Sequence, residues 1–427
     1  MTSTDPAVTE RVAAGHRPAR PRRAARLTPM LGPAAVAAIA YVDPGNVATN
    51  LTAGATSGYL LVWVVVAASL VALLVQFQAA KLGIATGRSL PELCRERLPR
   101  WASLLLWAQA ELVVLATDLA EFVGAAIGLR LLFGMPVAPA ALVTAALSMV
   151  LLELRQRGRR RFELLTVAAL LLVGAGVLYD VVTVGHQSAA GLAGGLVPRF
   201  AGAGSALLAM GIVGATVMPH AIYLHSAIAR RPATGVASRP GRPASRLIRK
   251  ALRLDCGIAL GGAAVVNVAL IALGAGLGAA TAGAWSGDIL DAHARIAAQF
   301  GGAAALAFAV LLLSSGVSSS GIGTLAGDFV MQGFLGRQIP SRVRRLVTML
   351  PALAALLAGA PLTALLVLSQ VVISLGVPVA LFLLVYFCRD RAVMGGLVNA
   401  VLTTRVAAGA GLVVAAAGLS LPVLLML

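Results

Sequence analysis

Apolar runs of membrane length follow one another along most of this chain, and that succession leaves few folds open. In hydrocarbon every backbone N–H and C=O must be paired within the protein, so spanning segments are helices or the strands of a closed barrel. Runs near 20 residues are helices, because a membrane strand needs only about 10. Eleven such runs centre on 34–57, 60–80, 102–132, 137–153, 163–181, 203–229, 254–280, 298–328, 345–359, 363–387 and 398–425. Charged residues are 12% of the 427 and mean hydropathy is +0.91, whereas a soluble domain carries about a quarter charged residues. The expected class is an all-α integral membrane protein.

A net charge of +18 raises the question of nucleic acid. Placement answers it. All but three of the 34 Lys and Arg residues fall in the N-terminal tail or in the even-numbered connections; the exceptions are Arg130, Arg199 and Arg295. Such asymmetry is the positive-inside pattern, so the arginines read as topology anchors facing a lipid bilayer, and no nucleic-acid partner is expected. The N-terminus is expected in the cytoplasm and the C-terminus outside. Residues 1–33 lack an apolar stretch ahead of the first span and read as a disordered Arg-rich tail rather than a signal peptide. Cys94, Cys256 and Cys388 are scattered, with no CxxC, which excludes a disulfide framework or thiolate metal site as the organising element.

Two spans are interrupted. The first carries "DPGN" (43–46) and the sixth "VMPHAIYLHS" (217–226). Proline lacks an N–H and clashes with the carbonyl four residues back, so Pro44 frees the carbonyl of Ala40 and Pro219 that of Ala215. Gly45 permits the turn. The interruptions lie five spans apart, which divides spans 1–5 from 6–10 and leaves the eleventh extra. Matched breaks in two halves mark an inverted-repeat transporter with a site at mid-depth.

Breaks brought face to face would offer two carbonyls together with Asp43, Asn46 and Met218. A carboxylate inside a membrane is costly and by default functional. Carboxylate, amide and carbonyl oxygens suit Mg, Ca and Mn alike, while a thioether favours later transition ions. The combination points to Mn(II) or Fe(II), with Cd(II), Co(II) and Zn(II) as further passengers. Gln370 in span ten is a candidate extra oxygen ligand. A magnesium carrier or an organic-solute carrier, such as one for amino acids, is the competing reading; Met218 argues against the first and a fixed Asp43 against the second.

Span three holds Glu111, Asp118 and Glu121 at spacings of seven and three, on one helical face. That stripe must face the bundle interior and meet cations, and Arg344 and Arg345 at the start of span nine are the candidates. His220 follows Pro219, and His225 lies further along. Such a series suits a proton relay; the alternative is a salt-bridge network that only holds spans together, and for His225 a hydrogen bond within its own helix. No HExxH, convincing GxSxG or Walker-type motif is present, so an enzyme is not expected.

The stretches "GPAAVAAIAYVDPGNVATN", "KLGIATG", "AELVVLATDLAEFVGAAIGLRLLFGMP", "MPHAIYLHSA", "GFLGRQIPSRVRRLVTMLPA" and "LSQVVISLGVPVAL" resemble the Nramp family of proton-coupled divalent metal transporters, in particular its bacterial manganese carriers. The resemblance implies a LeuT-type fold of two inverted five-helix repeats plus an eleventh transmembrane helix. It implies metal ligands at Asp43, Asn46, Met218 and the carbonyls of Ala40 and Ala215, with Gln370 joining in some conformations. Asp43, His220, Glu121 and Asp118 would move protons, with Glu111, Arg344 and Arg345 completing the network. The expected division is a tail (1–33), a first repeat (34–181), an extracellular linker (182–202), a second repeat (203–387), and a cytoplasmic loop with the eleventh helix (388–427). The cargo would be Mn(II), Fe(II) and protons, with no prosthetic group and no obligate protein partner, in a bacterial cytoplasmic membrane. Ala221 stands where the family usually has Asn, and Val317 where it commonly has Gln.

Overall fold

The breaks expected in the first and sixth spans are the pivots of the architecture. The computed structural model describes residues 33–157, 159–185, 187–230, 242–280, 285 and 287–426, and among them there is no strand. Helix α1 (Pro33–Ala38) tightens into a 3-10 turn (Ile39–Val42), and the chain goes extended at Asp43 (ψ 166°) before α2 (Pro44–Ser57) begins. The sixth span is likewise two rods, α9 (Ala203–Thr216) and α10 (Pro219–Ala229), separated by non-helical Val217 and Met218. In both cases proline is the first residue of the second rod, where a missing N–H removes no helical hydrogen bond.

The remaining spans are α3 (Val62–Thr86), α5 (Arg100–Phe133), α6 (Val137–Arg157), α7 (Arg159–Val184), α11 (Arg242–Ala280), α13 (Gly302–Leu335), α14 (Ser341–Leu357), α15 (Leu362–Cys388) and α17 (Val401–Met426). Shorter connecting helices are α4 (Leu90–Arg97), α8 (Ala189–Gly194), α12 (Ile289–Phe300) and α16 (Arg391–Met394). Among the described residues eight segments are long and apolar enough to cross a membrane, the pair α9–α10 counting as one. The first expected span is cut by its break, the apolar part of the fifth is shorter (Ala168–Val184), and α14 is short and opens with Arg342, Arg344 and Arg345.

The packing repeats with the halves exchanged. Rod α2 of the first span lies along α11, the seventh, and its counterpart α10 lies along α3, the second. Span ten (α15) packs on span three (α5), and span five (α7) on span eight (α13). The most extensive pairing, α5 with α13, joins the third spans of the two halves. Small residues make these approaches close: a methyl on Gly54 would lie 2.2 Å from the carbonyl oxygen of Ile271, and one on Gly83 2.2 Å from that of Ser226. This is the two-repeat, LeuT-type arrangement. Helix α17 lies outside it against α15 and α9, with little of its surface buried.

Three sequence expectations need correcting. The polar stretch "WSGDILDAHARIA", left between the seventh and eighth apolar runs, is more than a connection, because α12 forms in it, its first turn capped by Asp288 accepting from the N–H groups of Leu290 (2.9 Å) and Asp291 (3.1 Å). Span eight accordingly starts at Gly302 rather than 298, after Gly301 turns the chain at φ +92°. Span seven starts at Arg242 rather than 254, because the Arg-rich approach is itself helical. Most of the expected tail, residues 1–32, and residues 231–241 lie outside the described residues.

Candidate metal site

Asp43 is completely buried at the N-terminus of α2. Its Oδ1 accepts from Asn46 N at 2.8 Å, closing the first turn as a side-chain cap, and its Oδ2 accepts from Gln370 Nε2 at 3.2 Å. A capping carboxylate is stabilised by the unpaired N–H groups and partial positive charge at that end. Two further carbonyls beside the break are engaged: Tyr41 O by the Asn46 amide and Val42 O by Ser315 Oγ at 2.6 Å. The carbonyls of Ala40 and Ala215 are those whose helical donor position, four residues on, is occupied by Pro44 and Pro219.

Gln370 links the two breaks. A methyl on Gly45 would fall 1.7 Å from Gln370 Nε2, and one on Gly214, a turn before Met218, would fall 1.9 Å from Gln370 O. The same α9 face meets α2 at Gly211, where a methyl would touch Thr49 Cγ2 at 3.0 Å. Met218 is completely buried, caps α10 without a side-chain hydrogen bond, and belongs to the apolar cluster that includes Ala40, Tyr41 and Val42. Several buried polar atoms around these breaks have no partner: Gln370 Oε1, Thr216 Oγ1, His220 Nε2 and Glu121 Oε2. Unpaired buried polar atoms are costly and concentrate where a ligand or ion is handled. Asn46 is already occupied, its Oδ1 accepting from Asn50 and its Nδ2 donating to Tyr41 O and, at 3.0 Å, to Asn267 Oδ1. An amide oxygen has two lone pairs, so one acceptor position on Asn46 remains. Among the described residues no cluster of three or more His, Cys, Asp and Glu suited to a metal exists, so the candidate site rests on one carboxylate, neutral oxygens and a thioether.

Two of the three carboxylates on the α5 stripe meet the expected arginines, and among the described residues Glu121 makes no ion pair. Arg344 Nη2 donates to Glu111 at 2.8 Å, and Arg345 Nη1 donates to Asp118 at 2.6 Å. Arg345 and Asp118 are each 1% exposed, and such a pair offsets its desolvation only with further hydrogen bonds. Ser320 and Ser148 supply them on the guanidinium. Glu121 packs against Gly323, where a methyl would sit 2.7 Å from its Oε2. Pro44 rests on Gly124 of the same helix, 2.0 Å from where a methyl would be. His220 meets Thr117 Oγ1 at 3.2 Å rather than a carboxylate. Helix α5 therefore passes both breaks and carries the charges away from them, with Gly124 and Glu111 separated by about 20 Å of helix.

His225 does not bond within its helix. Its Nδ1 meets Gln76 Oε1 at 2.8 Å, and Gln76 Nε2 donates to the Tyr41 hydroxyl at 2.6 Å. The sequence gives Thr117, Tyr41 and Asn50 no role at the site. Nothing in the sequence marks Ser315 or Ser320, although they hold the first break and Arg345.

Residues 34–424 match the family model described as Nramp, natural resistance-associated macrophage protein-like. The chain belongs to the Nramp family. Among the Nramp proteins it is similar to, the divalent metal cation transporter MntH of Deinococcus radiodurans is 45% identical over 381 residues, 89% of this chain and 86% of that one. The MntH of Bacillus subtilis is 42% identical over 374 residues, 88% and 87% of the two chains. The crystal structure of the Eremococcus coleocola manganese transporter, in complex with an aromatic bis-isothiourea compound, superposes with a TM-score of 0.81 at 29% identity, covering 93% of this chain and 87% of that one. A nucleobase-cation-symport-1 family transporter shares the fold (TM-score 0.61, 18% identity). This Nramp chain thus stands among multi-pass membrane transporters, not enzymes.

Proposed function

We propose that this Nramp protein imports divalent transition-metal ions, Mn(II) first and Fe(II) next, together with protons, by alternating access at the two broken spans. The observation that carries the reading is Gln370 held between both breaks and bonded to Asp43. Cargo would be held by Asp43, Asn46, Met218 and the carbonyls of Ala40 and Ala215, with Gln370 Oε1 joining when its amide turns from the carboxylate. The single charge and weak neutral donors suit release as well as capture, and the thioether tilts preference from Ca(II) and Mg(II) toward softer ions. The names of the relatives, divalent metal cation transporters and a manganese transporter, support the same cargo.

The proton would use the other face of α5. Asp43, Glu121 and His220 lie nearest the breaks, and Asp118–Arg345 and Glu111–Arg344 continue toward the Arg-rich side, which the charge asymmetry assigns to the cytoplasm. The N-terminus would then be cytoplasmic and the C-terminus outside, in a bacterial cytoplasmic membrane, with the repeats divided as 34–181 and 203–387. Uptake into liposomes under an imposed pH gradient tests this: Mn(II) entry accelerated by external acid, with Fe(II) and Cd(II) following and Ca(II) and Mg(II) excluded, is the expected result. Mn(II) flux indifferent to the gradient would remove the proton from the scheme, and equal Ca(II) flux would remove the role given to the thioether.

A further inference from the structure

The Arg-rich start of α11 divides into three sectors around its rod. At 3.6 residues per turn, Arg246, Arg249, Lys250 and Arg253 fall within about 100° of arc; Arg249 is half-buried and the other three are exposed. Ile248, Ala251, Leu252 and Asp255 are buried on the far side. Between these sectors runs an exposed apolar stripe, Leu247, Leu254, Ile258 and Val265, at spacings of seven, four and seven. From Leu254 to Val265 the stripe rises about 16 Å, close to one leaflet's half of a hydrocarbon core roughly 30 Å thick.

The cationic sector is not balanced from within. Among the described residues no ion pair involves any of its four side chains. Arg246 with Lys250, and Arg249 with Arg253, are like charges at i,i+4, an arrangement that destabilises a helix. Arg249 Nη1 donates to a neutral acceptor, Gly396 O, at 3.2 Å in the connection between α15 and α17. Buried Lys81 of α3 joins the same corner: it donates to the neutral side chain of Asn399, and the charge of Arg249 acts on it. Asp255 is turned inward, where its Oδ2 accepts from Ala34 N at 3.0 Å at the start of α1.

We infer that this face of α11 binds an anionic phospholipid, its phosphate held by Arg246, Lys250 and Arg253 and its acyl chain laid along Leu254, Ile258 and Val265. Charge complementarity calls for an anion, and the adjoining stripe decides its class: a nucleic acid or an acidic peptide would use the cations and leave the apolar stripe without a role. A helix with basic residues beside exposed leucines is the pattern of segments that lie at an anionic bilayer surface. The bound lipid would sit where α11 meets α1 and the connection between α15 and α17.

The test uses the full chain in detergent, titrated by calorimetry with dioctanoyl phosphatidylglycerol, dioctanoyl phosphatidylcholine and chainless glycerophosphoglycerol. Equilibrium Mn(II) binding is the control for folding. Phosphatidylglycerol is expected to bind, more weakly as salt is raised, and the other two at least tenfold less. Each basic side chain near an anionic surface is worth about fivefold, so Arg246→Gln, Lys250→Gln and Arg253→Gln together are expected to weaken binding about a hundredfold. Lys250→Glu alone, a single exposed change, is expected to weaken it about twentyfold. Arg97→Gln, Arg100→Gln and Arg337→Gln together remove as many exposed cations from elsewhere on the Arg-rich side and are expected to leave binding as in the parent. Equal losses in the two triple variants would mean diffuse attraction rather than a site and overturn the inference, as would unchanged affinity in Lys250→Glu. Glycerophosphoglycerol or phosphatidylcholine bound as tightly as phosphatidylglycerol overturns the assignment of an anionic lipid.

Discussion

The two helix breaks are built from the same device and finished differently. At the first, Asp43 caps the new helix, Asn46, Asn50 and Asn267 form a chain of amides, and Ser315 holds Val42 O. At the second, the capping position is Met218, which makes no side-chain hydrogen bond. One break supplies the charge and a fixed polar frame; the other supplies a soft donor in an apolar setting. Gln370 joins them unequally, by its side chain at Gly45 and by its backbone at Gly214. The lesson is that a repeat can duplicate a backbone irregularity while each copy acquires its own chemistry.

The sharpest way to break that comparison is to remove the charge from the first break. Asp43→Ala deletes the only carboxylate of the proposed cargo site and, with it, the cap of α2; loss of a buried ionic ligand costs on the order of 3 kcal/mol, so Mn(II) uptake should fall about a hundredfold, read as initial rates in liposomes. Removing the soft donor is milder. Met218→Ala should weaken Mn(II) binding about tenfold while raising Ca(II) and Mg(II) entry above the parent's; unchanged selectivity would mean that both breaks contribute only oxygen.

Gly45→Ala and Gly214→Ala separate the two sides of Gln370. A methyl at Gly214 meets immovable backbone, so the rods must part, and overpacking of this kind costs about 1–3 kcal/mol, visible as a lowered melting temperature. A methyl at Gly45 meets the mobile end of a side chain, so the fold should hold while Gln370 is pushed off Asp43 and transport changes. Equal destabilisation by both would show that the asymmetry is not real.

The smallest effect is expected far from the breaks, at Glu92. It accepts from Ser89 N at 2.8 Å and pairs with Arg230, beyond α10, at 2.5 Å. Burial pushes its carboxyl up, but the Ser89 and Arg230 contacts outweigh it and hold the pKa below the usual carboxylate range. A depressed folded value means that the stabilisation is fully present above the ordinary carboxylate pKa of about 4.3 and is lost as pH falls through the lower folded one. Glu92→Gln should therefore lower the melting temperature slightly at neutral pH and not at all in strong acid, where the parent has lost the same contact.

What was legible before the structure was whatever chemistry forbids alternatives. Proline cannot continue a hydrogen-bond ladder, so Pro44 and Pro219 announced the breaks. A buried carboxylate must find a cation, so the spacing of Glu111 and Asp118 pointed to Arg344 and Arg345. Neutral polar groups carry no such compulsion. Thr117, Tyr41 and Asn50 can satisfy themselves in many ways along a helix, and nothing local announced that they would meet His220, Gln76 and Asn46. Helix α12 was hidden for another reason: its charged face resembles a loop, and its buried face, Ile289, Ala292 and Ile296, is visible only at a period of 3.6.

By itself the sequence determined that the chain is helical, where its rods stop, which ends bear the arginines, and which side chains are too polar to face lipid, because each of these follows from the cost of an unpaired dipole or charge in hydrocarbon. Only the tertiary structure decided which rods touch, that Gln370 belongs to both breaks, and that His220 meets Thr117 rather than a carboxylate. Those depend on where glycines let backbones approach, and helix-to-helix register is set by the sum of many weak contacts rather than by any one residue.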